Sequence, residues 1–360
     1  MTYRIQLGVV FIILHLSFSY IIYPNLVYSL TRTAHWEVVM WQGFFQILLL
    51  LIFLRGLSYF PKNDVVEIFL KMGKGIAIFF LMPLAINLVG LIALNLRIHT
   101  DVITALFLPR TPYWSITILL FLISVYTAVN GFKTILRSSV FIFLIVLPLV
   151  LFNLFSSYVN IDIENVQTVW NSPPKFLLDI NFFYVIGFSP FLVLGFVSSK
   201  VRLTLQQVFI VSISVFLFFL SVVYIPLFIF GPETVVTLND PFLEAMDTID
   251  ISWFSFNRQT MFFGLSLIGL VIVANSVLLW VTGQIIQRLF MYGTQKKSYG
   301  MIVSSTCVLI VALLVPSQSM VKKYFLWSMG IQTYSTIVIS ISLFLYGIFK
   351  QREMKIHEKK

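Results

Sequence analysis

Residues 14–25 read LHLSFSYIIYPN and sit inside an apolar run that begins at Ile5 and continues to Leu30. A segment that only anchors a chain in lipid needs about 20 apolar residues and nothing more. This one gathers His15, Ser17, Ser19, Tyr20, Tyr23, Pro24 and Asn25 within about three helical turns. Hydrocarbon cannot satisfy such groups, so they are expected to face protein or a wet cavity. Proline removes a backbone donor and clashes with the preceding turn, so Tyr23–Pro24 is expected to interrupt the span.

The rest of the chain has the same character. Of 360 residues, 59% are hydrophobic and 11% charged, and the mean hydropathy is +0.96. Soluble domains are about 45–50% apolar and about 25% charged, so this is a polytopic membrane protein. The net charge of +10 does not point to nucleic acid, because the Lys and Arg residues fall between apolar runs rather than on one patch. Cys307 is the single cysteine and lies in an apolar run, which leaves it a packing role. The first apolar run is too long for a signal-peptide core and no small-residue cleavage site follows it, so the spans themselves are expected to drive insertion.

A ruler of about 20 residues divides the chain into ten expected spans. They are 5–30, 38–54, 76–96, 113–129 and 138–158, then 182–198, 208–230, 262–286, 301–315 and 324–349, the second and ninth being short. With the N terminus inside, seventeen of the 24 Lys and Arg residues fall on the inner side and seven on the outer, so both termini are expected to be cytoplasmic. The long outer loops are 160–181 and 231–253. In the second, Phe242, Leu243, Met246 and Ile249 follow helical spacing and predict a short amphipathic helix. Its Asp240, Glu244, Asp247 and Asp250 read as solvated charge rather than a metal site, because no His or Cys joins them. There is no metal-spaced His pair, no phosphate loop and no nucleophile–base set. With His35, His99 and His357 assigned to loops or the tail, neither an enzyme nor a cofactor is expected.

Five spans precede the first long outer loop and five follow it. If the halves are inverted repeats, spans one and six should correspond and both should be broken. Span six reads NFFYVIGFSPFLVLGFVSSK (181–200), with Gly187, Phe188, Ser189 and Pro190 near its centre. The matched breaks predict a central ligand site formed by Ser17, Phe18, Ser19 and Tyr20 from span one with Gly187, Phe188, Ser189 and Pro190 from span six. The opposing reading for either span alone is a simple kink, with serine bonded back to its own helix.

No Asp, Glu, Lys or Arg is assigned near a midplane, which leaves His15 to hold a proton there. A lone buried His is more commonly a neutral hydrogen-bonding residue. Sodium coupling needs only oxygens, for which Ser276 and Thr282 are candidates. Asn87, Asn95, Asn153 and Asn275 are expected to bond between helices, and Arg97 and Arg258 to snorkel toward the interface.

Several stretches carry a family resemblance along nearly the whole chain. They include FPKNDVVEIFLKMGKGIAIFFLM (60–82), LFLPRTPYWSI (106–116), NGFKTILR (130–137), the GF of span six, and LNDPFLEAMDTIDISWFSFNRQTMFF (238–263). In order and spacing the chain resembles the GerAB-type spore germination permeases of the amino acid–polyamine–organocation superfamily. The resemblance implies an all-α, LeuT-like integral-membrane fold: ten transmembrane helices in two inverted five-helix repeats, with spans 1 and 6 discontinuous. The repeats would be residues 1–159 and 182–349, around an outer loop at 160–181 and before a cytoplasmic tail at 350–360. It also implies packing of span eight beside span one, which brings Asn275 to the central site. The implied role is the membrane subunit of a nutrient germinant receptor in the bacterial spore inner membrane, working with a larger membrane subunit and a lipoprotein. Two positions depart from the family pattern. Ser17-Phe18-Ser19 stands where relatives tend to have a Gly-Thr-Gly-like break, and Ser189 stands where an acidic residue often follows GF. A small, uncharged or differently held germinant, an amino acid or similar metabolite, is therefore expected. A secondary amino-acid transporter and a water or ion path would use the same polar cavity and remain open alternatives.

Overall fold

A computed structural model describes residues 3–166, 174–197, 202–249, 259–291, 299–315 and 318–357. These residues are helical or irregular, with no strand among them. That is the outcome lipid imposes on a chain this apolar, since only a helix satisfies its own backbone groups without an edge.

The first apolar run forms α1 (Tyr3–Ser19) and α2 (Tyr23–Leu30), bent by 64° across the break. Pro24 lies in the first turn of α2, where its missing N–H costs nothing. Next come α3 (His35–Ser58), the short α4 (Val65–Met72), α5 (Lys74–Phe107), α6 (Tyr113–Val129) and α7 (Phe132–Ser156). Then follow α8 (Ile180–Ile186), a 3₁₀ segment (Phe191–Phe196), α9 (Leu205–Val235), α10 (Pro241–Asp247), α11 (Thr260–Phe290), α12 (Tyr299–Leu314) and α13 (Gln318–His357). Among the described residues six helices are long and apolar enough to cross a membrane, or seven with the bent α1–α2 pair. Three shorter apolar stretches, Tyr113–Val129, Ile180–Phe196 and Tyr299–Leu314, accompany them. The chain is a multi-pass membrane protein.

Three sequence expectations change here. The second span is a full 24-residue helix, because Glu37 and Arg55, which looked like its limits, suit the first and last turns by charge. The third runs to Phe107, so His99 is a buried helical residue and not a loop residue. His35 likewise begins α3, buried. The predicted amphipathic helix forms as α10, with Phe242 and Met246 fully buried.

The core is organised around α11, of whose apolar window 72% is buried, more than in any other spanning candidate. It packs on α1, α5, α6, α7 and α12, while α13 packs on α3 and α5. Large apolar side chains such as Phe79, Ile86, Leu122, Phe141 and Leu144 point outward and form the belt that meets hydrocarbon.

Each face of the bundle is latched. On the face where α1 begins, Arg288 at the end of α11 pairs with Asp64, the N-cap of α4, and lies 3.6 Å from Glu67. Arg202 there donates to the carbonyls of Leu57 and Asn63 at 3.2 and 2.8 Å. On the opposite face Lys322 pairs with Asp240 at 3.2 Å, and Asn25 donates to the Asn239 carbonyl at 2.6 Å. The topology cations Lys200, Lys296, Lys297, Lys359 and Lys360 lie outside the described residues, as do Asp250 and Arg258.

Candidate functional site

The α1–α2 break and the α8–3₁₀ break are joined by a chain of hydrogen bonds through α3. His15 places Nδ1 2.7 Å from the carbonyl of Phe11 one turn back. A carbonyl only accepts, so Nδ1 carries the proton and Nε2 is left to accept. Gln46 supplies the donor, its Nε2 lying 2.9 Å from His15 Nε2. The other end of the same amide, Oε1, accepts from Ser189 Oγ at 3.0 Å. His15, Gln46 and Ser189 are 0%, 4% and 1% exposed, so this bridge is shielded from water and its members depend on one another. One turn earlier on α3, Gln42 Oε1 accepts from the Tyr23 hydroxyl at 2.5 Å, tying the start of α2 to the same helix face.

A second polar group lies on the other side of α1. Asn95 of α5 donates from Nδ2 to Asn275 Oδ1 at 2.9 Å and stands 3.5 Å from Ser17 Oγ. His99, one turn further along α5, donates from Nδ1 to the Asn95 carbonyl at 2.8 Å. Asn275 Nδ2 and His99 Nε2 are buried without a protein partner, so this group holds a spare donor and a spare acceptor.

Aromatic rings fill the space between the breaks. Phe18 and Phe188 both approach Phe325, with ring centroids at 6.3 and 5.8 Å, and Phe188 meets Tyr23 at 5.2 Å. Gly187 and Gly195 bracket the second break for reasons of space. A Cβ at Gly187 would lie 2.2 Å from the Met329 carbonyl oxygen of α13, and one at Gly195 would lie 2.3 Å from Val65 and 2.5 Å from Phe53. Gly187 keeps a helical φ of −63°, so close approach rather than unwinding explains the glycine.

The sequence-predicted residues thus separate. His15 and Ser189 share one bridge, Ser17 and Asn275 share the other group through Asn95, and Phe18 and Phe188 share the rings around Phe325. Pro190 is buried beside Ser189 and opens the 3₁₀ segment. Past the break the chain continues as this 3₁₀ segment to Phe196. Ser19 turns away, donating to the carbonyls of His15 and Leu16 on its own helix. Tyr20 packs among Phe218, Phe242 and Phe263 beneath α10, at 4.9–5.3 Å.

Other expectations divide similarly. Asn87 bonds across helices to Gln332 and Ser328 of α13. The Asn153 side chain instead has no partner, and only its backbone carbonyl accepts, from Ser156, Ser157 and Gln259. Ser276 and Thr282 spend their hydroxyl protons on backbone carbonyls. Arg97 does not snorkel: its side chain is 11% exposed, paired with Asp101 at 3.3 Å and stacked 4.1 Å from the Tyr113 ring centroid. Asp240 and Glu244 are engaged locally, Asp240 with Lys322 and Glu244 with the backbone N–H groups of Asn239 and Asp240.

Sequence reasoning missed Gln42 and Gln46. Their signal was present in WQGFFQ (41–46), two amides one turn apart in an otherwise apolar span, which bilayer physics marks as interhelical ties.

Residues 4–322 match the family model described as a spore germination protein, the spore permease family. A comparison with curated proteins finds no match.

Proposed function

Because the chain belongs to the spore germination protein family, we propose that it is the membrane subunit of a nutrient germinant receptor and binds a small germinant between its two broken spans. The observation that carries this reading is the Ser189–Gln46–His15 bridge, which couples the break in span six to the break in span one through α3. A ligand that engages Ser189 or Ser17 competes with bonds that hold the breaks in register. It changes the packing only through a difference in affinity between two arrangements.

On this reading the bent pair, the six long helices and the three shorter apolar stretches make ten crossings in two inverted five-helix repeats, residues 1–159 and 182–349. The face holding Arg288 and Asp64 is cytoplasmic, with both termini, in the spore inner membrane. The two latches then close a site reached by neither side, and release of Lys322 from Asp240 opens the outer path over Ile21 and Ile22. Those two residues floor a small cavity beside that pair. The germinant is an amino acid or similar metabolite held by hydroxyls, amides and ring faces, since the carboxylates beside the first break, Asp101 and Asp240, are already paired with Arg97 and Lys322. A larger membrane subunit and a lipoprotein read the change in packing. The paired latches also suit a secondary transporter, which differs in moving its substrate through.

Spores carrying Ser17→Leu or Ser189→Leu at normal protein levels are the test, scored for germination with single amino acids, nucleosides and sugars. The reading expects a lost or retuned response, and an unchanged one removes the site. Ion-dependent uptake of labelled substrate by the purified chain in liposomes would favour the transporter.

A further inference from the structure

Between α3 and α9 lies a cavity of about 290 Å3 that opens sideways, lined by Gln42, Gly43, Gln46, Ser212, Phe216 and Phe219. Its rim carries Met40, Phe44 and Ile213, which are 40%, 53% and 55% exposed and belong to the outward-facing apolar belt. The mouth therefore opens into hydrocarbon rather than onto either aqueous face. Its volume is at the lower end of small-molecule sites, roughly 300 Å3.

Two buried polar groups in this apolar lining have no protein partner, Gln42 Nε2 and Ser212 Oγ, on residues only 2% and 6% exposed. Turning the Gln42 amide over does not help. Tyr23 would then accept from Nε2 and Oε1 would be the atom left over. A buried polar atom without a partner is unfavourable, and these two belong to side chains that line the cavity. No Asp, Glu, Lys, Arg or His lines the cavity, so a charged head is not matched.

We propose that this cavity is a second, membrane-side ligand site for a single-chain amphiphile with a neutral hydrogen-bonding head, such as a medium-chain alcohol or primary amide. Its tail lies along Gly43, Phe216 and Phe219, and its head bonds Gln42 and Ser212. A plain acyl chain from a bilayer lipid would fill the space and leave both polar groups unmatched. The site stands independently of the germinant reading, but its wall is shared. Gln42 holds Tyr23 through Oε1, and Gln46 holds His15 and Ser189, so an occupant on Gln42 Nε2 fixes the same amide that anchors the start of α2.

The test uses the full chain in phosphatidylcholine nanodiscs with decanol carrying a terminal photoreactive diazirine, the adducts being mapped by peptide mass spectrometry. Adducts are expected within residues 39–47 and 212–219. Excess 1-decanol should protect against labelling about tenfold better than decane, the equivalent of one hydrogen bond. Gly43→Ala should keep the labelling, since its Cβ would lie at an ordinary 3.5 Å from Phe216. Gly43→Phe should abolish it while elution and melting are retained, and Ser212→Leu tests the opposite wall should that variant fail to fold. Equal protection by decane would overturn the polar-head assignment. Labelling spread evenly over the apolar belt, or unchanged in both filled variants, would overturn the site.

Discussion

Replacing Gln46 by leucine cuts the bridge between the two breaks at both ends while keeping nearly the same volume in α3. Two neutral buried hydrogen bonds are lost, each contributing about 1 kcal/mol net. The partners do not suffer equally. Ser189 can turn its hydroxyl to a nearby carbonyl, but His15 is held through Nδ1 by Phe11, so its Nε2 stays stranded in a fully buried position. Adding about 1 kcal/mol for that atom gives a total near 3 kcal/mol, or roughly a hundredfold shift between packed and loosened arrangements. The assay is a double-mutant cycle with Ser189→Ala, following reversible SDS unfolding of the purified chain. Gln46→Leu should cost about 3 kcal/mol and Ser189→Ala about 1 kcal/mol, with the double variant falling short of the sum by about 1 kcal/mol. Additivity within about 0.3 kcal/mol, or a Gln46→Leu cost below about 0.5 kcal/mol, would refute a bridge that couples the two spans.

Three further outcomes are expected. Gly187→Ala places a carbon against a backbone carbonyl that cannot step aside, so it should destabilise by about 1–3 kcal/mol and lower the melting temperature. Lys322→Gln removes a partly buried ion pair whose side chains are 29% and 14% exposed, a loss of about 1 kcal/mol. In a Cys307→Ser background it should raise labelling of an Ile22→Cys reporter by a polar thiol reagent about fivefold, and an unchanged rate would exclude the pair as a latch over that break. Ala34→Gly relieves a left-handed φ of 52° at the α2–α3 turn and should stabilise by up to about 1 kcal/mol in the same unfolding assay.

Much of this architecture was legible because lipid makes polar groups conspicuous. Ser17, Pro24 and the GFSP stretch announced the two breaks, and the spacing of Phe242 and Met246 announced α10. What escaped was rotation. A helix that is apolar on every side, like α3, gives no periodic sign of which face meets protein, so Gln46 could not be matched with His15, 31 residues away, or with Ser189, 143 residues away. The same blindness sent Arg97 outward on paper, whereas Asp101 and the Tyr113 ring hold it inside. Asn275 was placed with span one by resemblance, but its partner Asn95 needed the packing of α5 on α11.

The bridge from Phe11 to Ser189 also has a sense of direction. Every proton in it points toward the N-terminal end: Ser189 gives to Gln46, Gln46 gives to His15, and His15 gives to a carbonyl that can only receive. Such a row reverses only when His15 takes a second proton, because Nδ1 must still give to the Phe11 carbonyl. Protonating His15 at Nε2 obliges Gln46 to turn its amide over and obliges Ser189 to receive. A cationic group settling on Gln46 Oε1 displaces Ser189 without that reversal. The row therefore distinguishes a ligand that brings a donor from an event that brings a proton, although both arrive at the same three side chains.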